Sequence, residues 1–104
     1  MQDITGDIII RASEGDIDAF EMIYREYLDF VSNVAFRVVN TREDAEEVTQ
    51  EVFLNIYRQL KYFRFKSSLK TWIYRITVNT AINYSKKALK HHHEMAGYME
   101  VSGR

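Results

Sequence analysis

From Lys61 to Lys90 the chain runs thirty residues without one aspartate or glutamate. At the start of that run, three aromatic rings are interleaved with three cations: Lys61, Tyr62, Phe63, Arg64, Phe65 and Lys66. Aromatic rings offer unpaired bases a stacking surface worth roughly 1–3 kcal/mol per base, and cations beside them hold phosphates. One of the three rings is expected to be spent on the core, and Phe63 is the choice. Beyond the loop, Thr71, Tyr74, Arg75, Asn79, Asn83 and Lys86 share one side of a predicted helix. Arginine and asparagine hydrogen-bond both base edges and phosphates. Trp72 is assigned to the core, as a lone tryptophan in an apolar stripe usually is, which leaves Tyr74 as the better stacking residue.

A second set of residues carries the opposite charge. Asp44, Glu47, Glu51 and Leu54 recur at three and four, with Arg58 in the same stripe and Gln50 and Tyr57 at its flank. Most acidic stripes are simply solvated helix faces. The helix macrodipole accounts for the acids near the helix start, Asp44 and Glu47, but not for Glu51. An apolar anchor ringed by charge suits a binding site for a basic protein partner, and Leu54 supplies the anchor.

The net charge of −1 hides this division. Met1 to Leu60 holds thirteen acids and five bases, a balance of −8, whereas Lys61 to Arg104 holds two acids and nine bases, a balance of +7. A surface cleared of carboxylates suits a polyanion, because every acid would repel phosphate.

Other chemistries lack their residues. The sequence has no nucleophile paired with a base, no glycine-rich phosphate loop and no metal-ligand spacing, so neither enzyme nor cofactor is expected. Adjacent residues on a helix point about 100° apart, so His91, His92 and His93 cannot chelate together; they read as linker or as a weak DNA contact. The absence of cysteine rules out disulfides and suits a reducing compartment. Met1 to Ile10 has no basic start and no long apolar run, so no secretory signal is expected, and no apolar stretch approaches membrane-spanning length.

The elements that must position these residues are helical. With no proline and four glycines in 104 residues, long helices can run unbroken. A short helix is expected from Asp7 to Ser13, with Ile8, Ile9 and Ala12 on its apolar side and Glu14-Gly15 as its break. Asp16 then caps a helix from Ile17 to Val39, whose stripe is Phe20, Ile23, Tyr24, Tyr27, Phe30, Val31, Val34 and Val38. Asn40 fits a left-handed stop. Thr41 caps a third helix running to about Leu60, with Ala45, Val48, Val52, Ile56 and Leu60 inside. Lys61 to Ser68 is a loop. Ser67 or Ser68 caps a fourth helix running to about Lys87. Leu69, Trp72, Ile73, Ile76 and Thr80 lie on one side of it and Tyr74, Arg75, Val78, Ile82 and Lys86 on the other, and the pattern leaves its inward side open. After Lys90 the periodicity dissolves into a frayed end or linker stub. The fold class is all-α, a compact bundle of about four helices.

Three segments in order resemble region 2 of bacterial sigma factors of the extracytoplasmic-function (ECF) group. They are Gly15 to Tyr24 (GDIDAFEMIY), Arg42 to Phe53 (REDAEEVTQEVF) and Lys70 to Ile76 (KTWIYRI) with the nearby Asn79. The resemblance covers roughly Asp7 to Lys87. It implies a module of residues 1–90 that docks on the clamp helices of the large subunit of core RNA polymerase. That module would melt the −10 promoter element and hold its non-template strand, working in the cytoplasm under control of an anti-sigma factor. The implied docking residues are Asp44, Glu47, Gln50, Glu51 and Leu54. The implied base-capture loop is Phe63 to Ser68, including Arg64, Phe65, Lys66 and Ser67, and the implied DNA face is Thr71, Tyr74, Arg75 and Asn79. Lys61, Tyr62 and Lys86 join the DNA set from charge and ring character.

Two departures stand out. Members of the group commonly read Phe-Arg-Gly-acid at the loop, whereas Phe63-Arg64 is followed here by Phe65 and Lys66. Residues 91–104 would be the start of an interdomain linker, with the helix-turn-helix region 4 absent, so the chain is expected to be a fragment. The competing readings are a protein-interaction module held by an anti-sigma factor and a generic duplex-DNA binder.

Overall fold

The computed structural model describes residues 3–102, with side chains as far as His91. Four helices follow one another: α1 (Gly6–Ser13), α2 (Ile17–Val39), α3 (Arg42–Gln59) and α4 (Leu69–Ser102). A single 3-10 turn, Leu60–Tyr62, follows α3 directly. No strand occurs among the described residues.

Each boundary has a local cause. The Thr5 hydroxyl accepts the Ile8 amide at 3.4 Å and starts α1. Gly15 takes φ +99, a conformation that costs glycine little, and the chain turns there. The Asp16 carboxylate accepts the Ala19 amide at 3.1 Å and the Arg11 guanidinium at 2.9 Å, closing the start of α2 on the end of α1. The Ala19 amide, followed by Arg11, holds the Asp16 carboxyl below the usual carboxylate range. Its stabilising effect is therefore present above the ordinary carboxylate pKa and lost as pH falls through the lowered one. Asn40 ends α2 at φ 67, and Thr41 caps α3 by accepting the Asp44 amide at 3.2 Å. Of the two serines offered for α4, Ser68 is the cap: its Oγ accepts the Thr71 amide at 3.1 Å.

The core lies where α2, α3 and α4 meet. Ile23 and Val31 from α2, Val48, Val52 and Ile56 from α3, and Ile73 from α4 are fully enclosed. Ile8, Ile9 and Ala12 bring α1 onto the same cluster. All five residues predicted for the interior of α3 are buried, and Thr49 and Phe53 join them. The inward side of α4, left open by the pattern, is Leu69, Ile73, Thr77 and Ala81, with Trp72, Ile76 and Tyr84 packed beside them. A fully buried threonine is tolerated there because the Thr77 hydroxyl donates to the Ile73 carbonyl at 2.8 Å. Thr49 does the same to Ala45 at 2.7 Å.

Two expectations need correction. Tyr24, placed in the α2 core stripe, is exposed, its ring lying on Phe53 at 4.7 Å. And α4 does not fray after Lys87 or Lys90 but continues to Ser102. Loss of an apolar period removes a reason to pack, not a reason to be helical. Ala88, Leu89, Lys90, Glu94, Met95 and Ala96 are all strong helix formers, with no proline among them. The side chains of His92 and His93 lie outside the described residues.

The left-handed stop at Asn40 yields a direct test. Asn40→Val places a β-branched residue at positive φ and is expected to lower the unfolding free energy by about 1–2 kcal/mol, while Asn40→Gly stays within about 0.5 kcal/mol of the parent. Urea denaturation followed by circular dichroism measures both. Equal losses would assign the role to the asparagine side chain rather than to the backbone.

Candidate nucleic-acid interface

The loop between α3 and α4 is built around one buried ring. Phe63 is 7% exposed and packs on Trp72 at 5.2 Å between centroids, so the core assignment of Phe63 holds and Trp72 is half-buried beside it. Tyr62 and Phe65 stay outside, at 63% and 51% exposed. The Lys61 ammonium lies 5.2 Å from the Tyr62 ring centre. One nitrogen of the Arg64 guanidinium donates to the Lys61 carbonyl at 3.0 Å, folding the loop back on itself. The Ser67 hydroxyl, half-buried, donates to the Ser68 carbonyl at 3.2 Å. Lys66 is exposed. Phe65 has φ 59, the left-handed conformation that favours glycine.

On α4, Thr71, Tyr74, Arg75, Asn79 and Lys86 are all exposed. Tyr74, 48% exposed, sits 6.3 Å from Phe30 of α2, and the Lys70 ammonium lies 5.0 Å from the same Phe30 ring. The rings therefore form two clusters rather than one. Tyr74 and Phe30 occupy one flank of the start of α4, and Trp72, Phe63 and Phe65 occupy the other. At 100° per residue, Thr71 and Arg75 fall on the strip between those flanks. Phe30 belongs to the predicted apolar stripe of α2, and nothing in the linear sequence marks it as a neighbour of Tyr74. None of the bases from Lys61 to Lys90 forms an ion pair among the described residues; the ion pairs found join Arg11 to Asp7 and Asp16, and Arg25 to Glu21.

The acidic stripe is open for four of its five residues. Glu47, Gln50 and Glu51 are exposed, and Leu54 is 50% exposed. Asp44 differs: it is half-buried, and its Oδ1 accepts the Tyr84 hydroxyl of α4 at 2.7 Å. That hydrogen bond is the main reason the Tyr84 phenol is pushed up to about 12, with desolvation and the nearby Glu47 carboxylate adding to it. Leu54 is not isolated. Ile17, Phe20 and Tyr24 of α2 and Phe53 and Tyr57 of α3 join it along an apolar groove edged by Gln50. Leu54 and Tyr57 were the visible half of that groove. The α2 half was hidden because Phe20 and Tyr24 share a helical period with true core residues.

A family model for sigma-70 region 2 matches residues 23–90. The chain belongs to the sigma-70 family, in its ECF group, and carries region 2. It is 40% identical over 77 residues to the ECF RNA polymerase sigma-E factor of Haemophilus influenzae, an alignment covering 74% of this chain and 40% of that protein. It is 38% identical over 84 residues to the Escherichia coli sigma-E factor, covering 80% of this chain and 44% of that one. The chain thus spans less than half the length of these relatives. An NMR structure of an engineered region 2 of sigmaE in complex with GTAAAA superposes with a TM-score of 0.76 at 33% identity, covering 88% of this chain and 97% of that one. The region 2 match begins inside α2, so α1 adds Ile8, Ile9 and Ala12 to the core from outside the matched span.

The Asp44–Tyr84 contact predicts a titration. Asp44→Ala should return the Tyr84 phenol from about 12 toward its ordinary value near 10. The contact contributes stability below the unfolded tyrosine pKa and loses it as pH rises through the raised one. Phenolate absorbance, taken as a difference against Tyr84→Phe, reads the shift, and an unchanged titration would mean that the bond does not form in solution.

Proposed function

We propose that this region 2 domain docks on core RNA polymerase and holds the non-template strand of an opened −10 element as single-stranded DNA. The docking surface is the exposed stripe of Glu47, Gln50, Glu51 and Leu54 with the apolar groove beside it. Its acids and its greasy floor suit the basic, partly apolar side of a helical partner, and the family resemblance supports reading that partner as the clamp helices of the large subunit. The DNA surface is the loop from Lys61 to Ser67 with Thr71, Tyr74, Arg75 and Asn79, and Lys86 further along α4.

The observation that carries the reading is the division of charge between α3 and the segment that follows it, which meet where Glu47 and Glu51 line a cleft with Asn83 and Lys87 of α4. Unpaired cations and half-exposed rings lie together on a stretch of chain cleared of acid, while the carboxylates lie on another helix. The sigmaE region 2 bound to GTAAAA is a relative of the same fold that binds a nucleic acid. Rings are wasted on a duplex, whose bases are already stacked, so exposed rings beside cations favour a separated strand. The apolar groove next to Glu51 favours a further protein partner, an anti-sigma factor that covers the docking surface and keeps the domain from polymerase. These roles place the protein in the cytoplasm.

Two experiments check the halves separately. Glu51→Lys and Leu54→Glu each lie on the surface and are expected to abolish co-purification with core polymerase while leaving the helical circular dichroism unchanged. Normal co-purification of either variant would remove the stripe from the interface. For the other half, short randomised single-stranded DNA is selected by the domain together with core polymerase, and the selected strand is compared with its duplex. The single strand should bind more tightly. Arg75→Ala and Lys66→Ala should each weaken it and lower the slope of log affinity against log salt by about 0.7. Equal affinity for strand and duplex would contradict the proposal.

A further inference from the structure

The outer side of α4 carries an apolar row that the bundle does not use. At about 100° per residue, Val78, Ile82 and Leu89 fall together on the side opposite Ile73, Thr77 and Tyr84, which face the other helices. Val78 is half-buried, Ile82 is 40% exposed and Leu89 is 58% exposed. None of the three belongs to the core or packs against it among the described residues. Single exposed aliphatics are ordinary on a protein surface. Aliphatics repeated at helical spacing down one side form an amphipathic pattern without its partner. Cations accompany the row: Arg75 and Lys86 lie within it and Lys90 at its edge, all exposed. Phosphate would engage the cations, but it has no use for Ile82 and Leu89.

A surface of the matching kind exists on the same chain. Phe20 and Tyr24 of α2 and Phe53, Leu54 and Tyr57 of α3 line an apolar groove edged by Gln50. Glu47 and Glu51, both exposed, stand on the same side of α3 as Leu54. The lengths agree as well. Ile82 and Leu89 are seven residues apart, as are Gln50 and Tyr57, a rise of about 10 Å on either helix. Neither set of charges is neutralised within the chain, since the ion pairs among the described residues join Arg11 and Arg25 to Asp7, Asp16 and Glu21. Nor does the ridge reach its own groove. It lies on the side of α4 turned away from α2 and α3, and the groove is formed by those two helices.

We propose that the groove receives the α4 ridge of a second copy of this chain. The domain then self-associates head to tail, with Ile82, Lys86 and Leu89 of one protomer on Glu51, Leu54 and Tyr57 of its partner. Unlike surfaces meet in such a contact, as in any heterologous interface. Neither polymerase nor DNA enters into it, so it stands apart from the function proposed above. The contact is small, a few aliphatics and rim charges, which makes the association weak and sensitive to salt.

Sedimentation velocity of the 104-residue chain, from micromolar to millimolar concentration, reads the association. The weight-average mass should climb above that of one chain as concentration rises, and added salt should move the rise to higher concentration. Leu89→Glu and Leu54→Glu, both at exposed positions, should each remain monomeric throughout while keeping the parent's helical circular dichroism. Mixing separates unlike from like pairing. Leu54→Glu retains the ridge and Leu89→Glu retains the groove, so an equimolar mixture of the two should regain a dimer. Lys86→Glu and Glu51→Lys should each weaken association several-fold and recover it when mixed. A parent that stays monomeric at millimolar concentration would overturn the proposal. Self-association that survives Leu54→Glu would assign the contact to α4 against α4 and overturn it equally, as would a mixture of the two glutamate variants that fails to pair.

Discussion

The arrangement depends on one packing constraint: α2, α3 and α4 each bury a single face in the same small core. Val48, Val52 and Ile56 of α3 are closed against Ile23 and Val31 of α2 and Ile73 of α4. With that face fixed, the rotation of α3 is fixed too. Turning it by one residue would carry the buried set toward water and bring carboxylates toward the interior, where an unpaired charge is heavily disfavoured. The outward placement of Glu47, Glu51 and Leu54 is thus set by the valines and isoleucine behind them.

The same constraint acts on α4, but with weaker apolar residues. Its inner face holds Thr77 and Ala81 as well as Leu69 and Ile73, and polar contacts to α3 supplement the packing. Tyr84 donates to Asp44 at 2.7 Å, and Asn55 donates to Thr80 at 3.2 Å. These two ties join the helix of the proposed docking stripe to the helix of the proposed DNA face. They explain why one acid of the stripe, Asp44, is turned inward while the rest remain open.

Much of this was legible in the sequence, for reasons that differ by element. The α3 interior was readable because Ala45, Val48, Val52, Ile56 and Leu60 are apolar at helical spacing with polar residues between them. The caps were readable because Asp16, Asn40 and Thr41 are residue types whose conformational or hydrogen-bonding preferences suit helix ends. The inward face of α4 was not, because Thr77 and Ala81 carry no strong apolar signal while Val78 and Ile82 do, on the opposite side. The apolar groove was half hidden, since Phe20 and Tyr24 repeat with Ile23 in one stripe and only the angle at which α3 crosses α2 decides which are covered. The extension of α4 to Ser102 has no apolar period to announce it, because a helix that does not pack needs only helix-forming residues. The clustering of Phe30 with Tyr74, and the ladder through Phe63, are tertiary facts with no linear signature.

At the loop, the sequence raised a question that the structure answers. Phenylalanine in place of a common glycine put the turn in doubt. The backbone makes the glycine-like turn regardless, with Phe65 at φ 59, and its ring is held by Phe63 and the start of α1. The turn is therefore kept and a ring is added to it.

On the proposed reading, two partners meet two different surfaces of one small domain. Photo-crosslinking tests it most directly, with a photoreactive residue placed singly at position 54 or at position 62 in the ternary complex of domain, core polymerase and single-stranded promoter DNA. Position 54 should capture the polymerase large subunit and position 62 should capture DNA. Capture of DNA at position 54, or of polymerase alone at position 62, would contradict it.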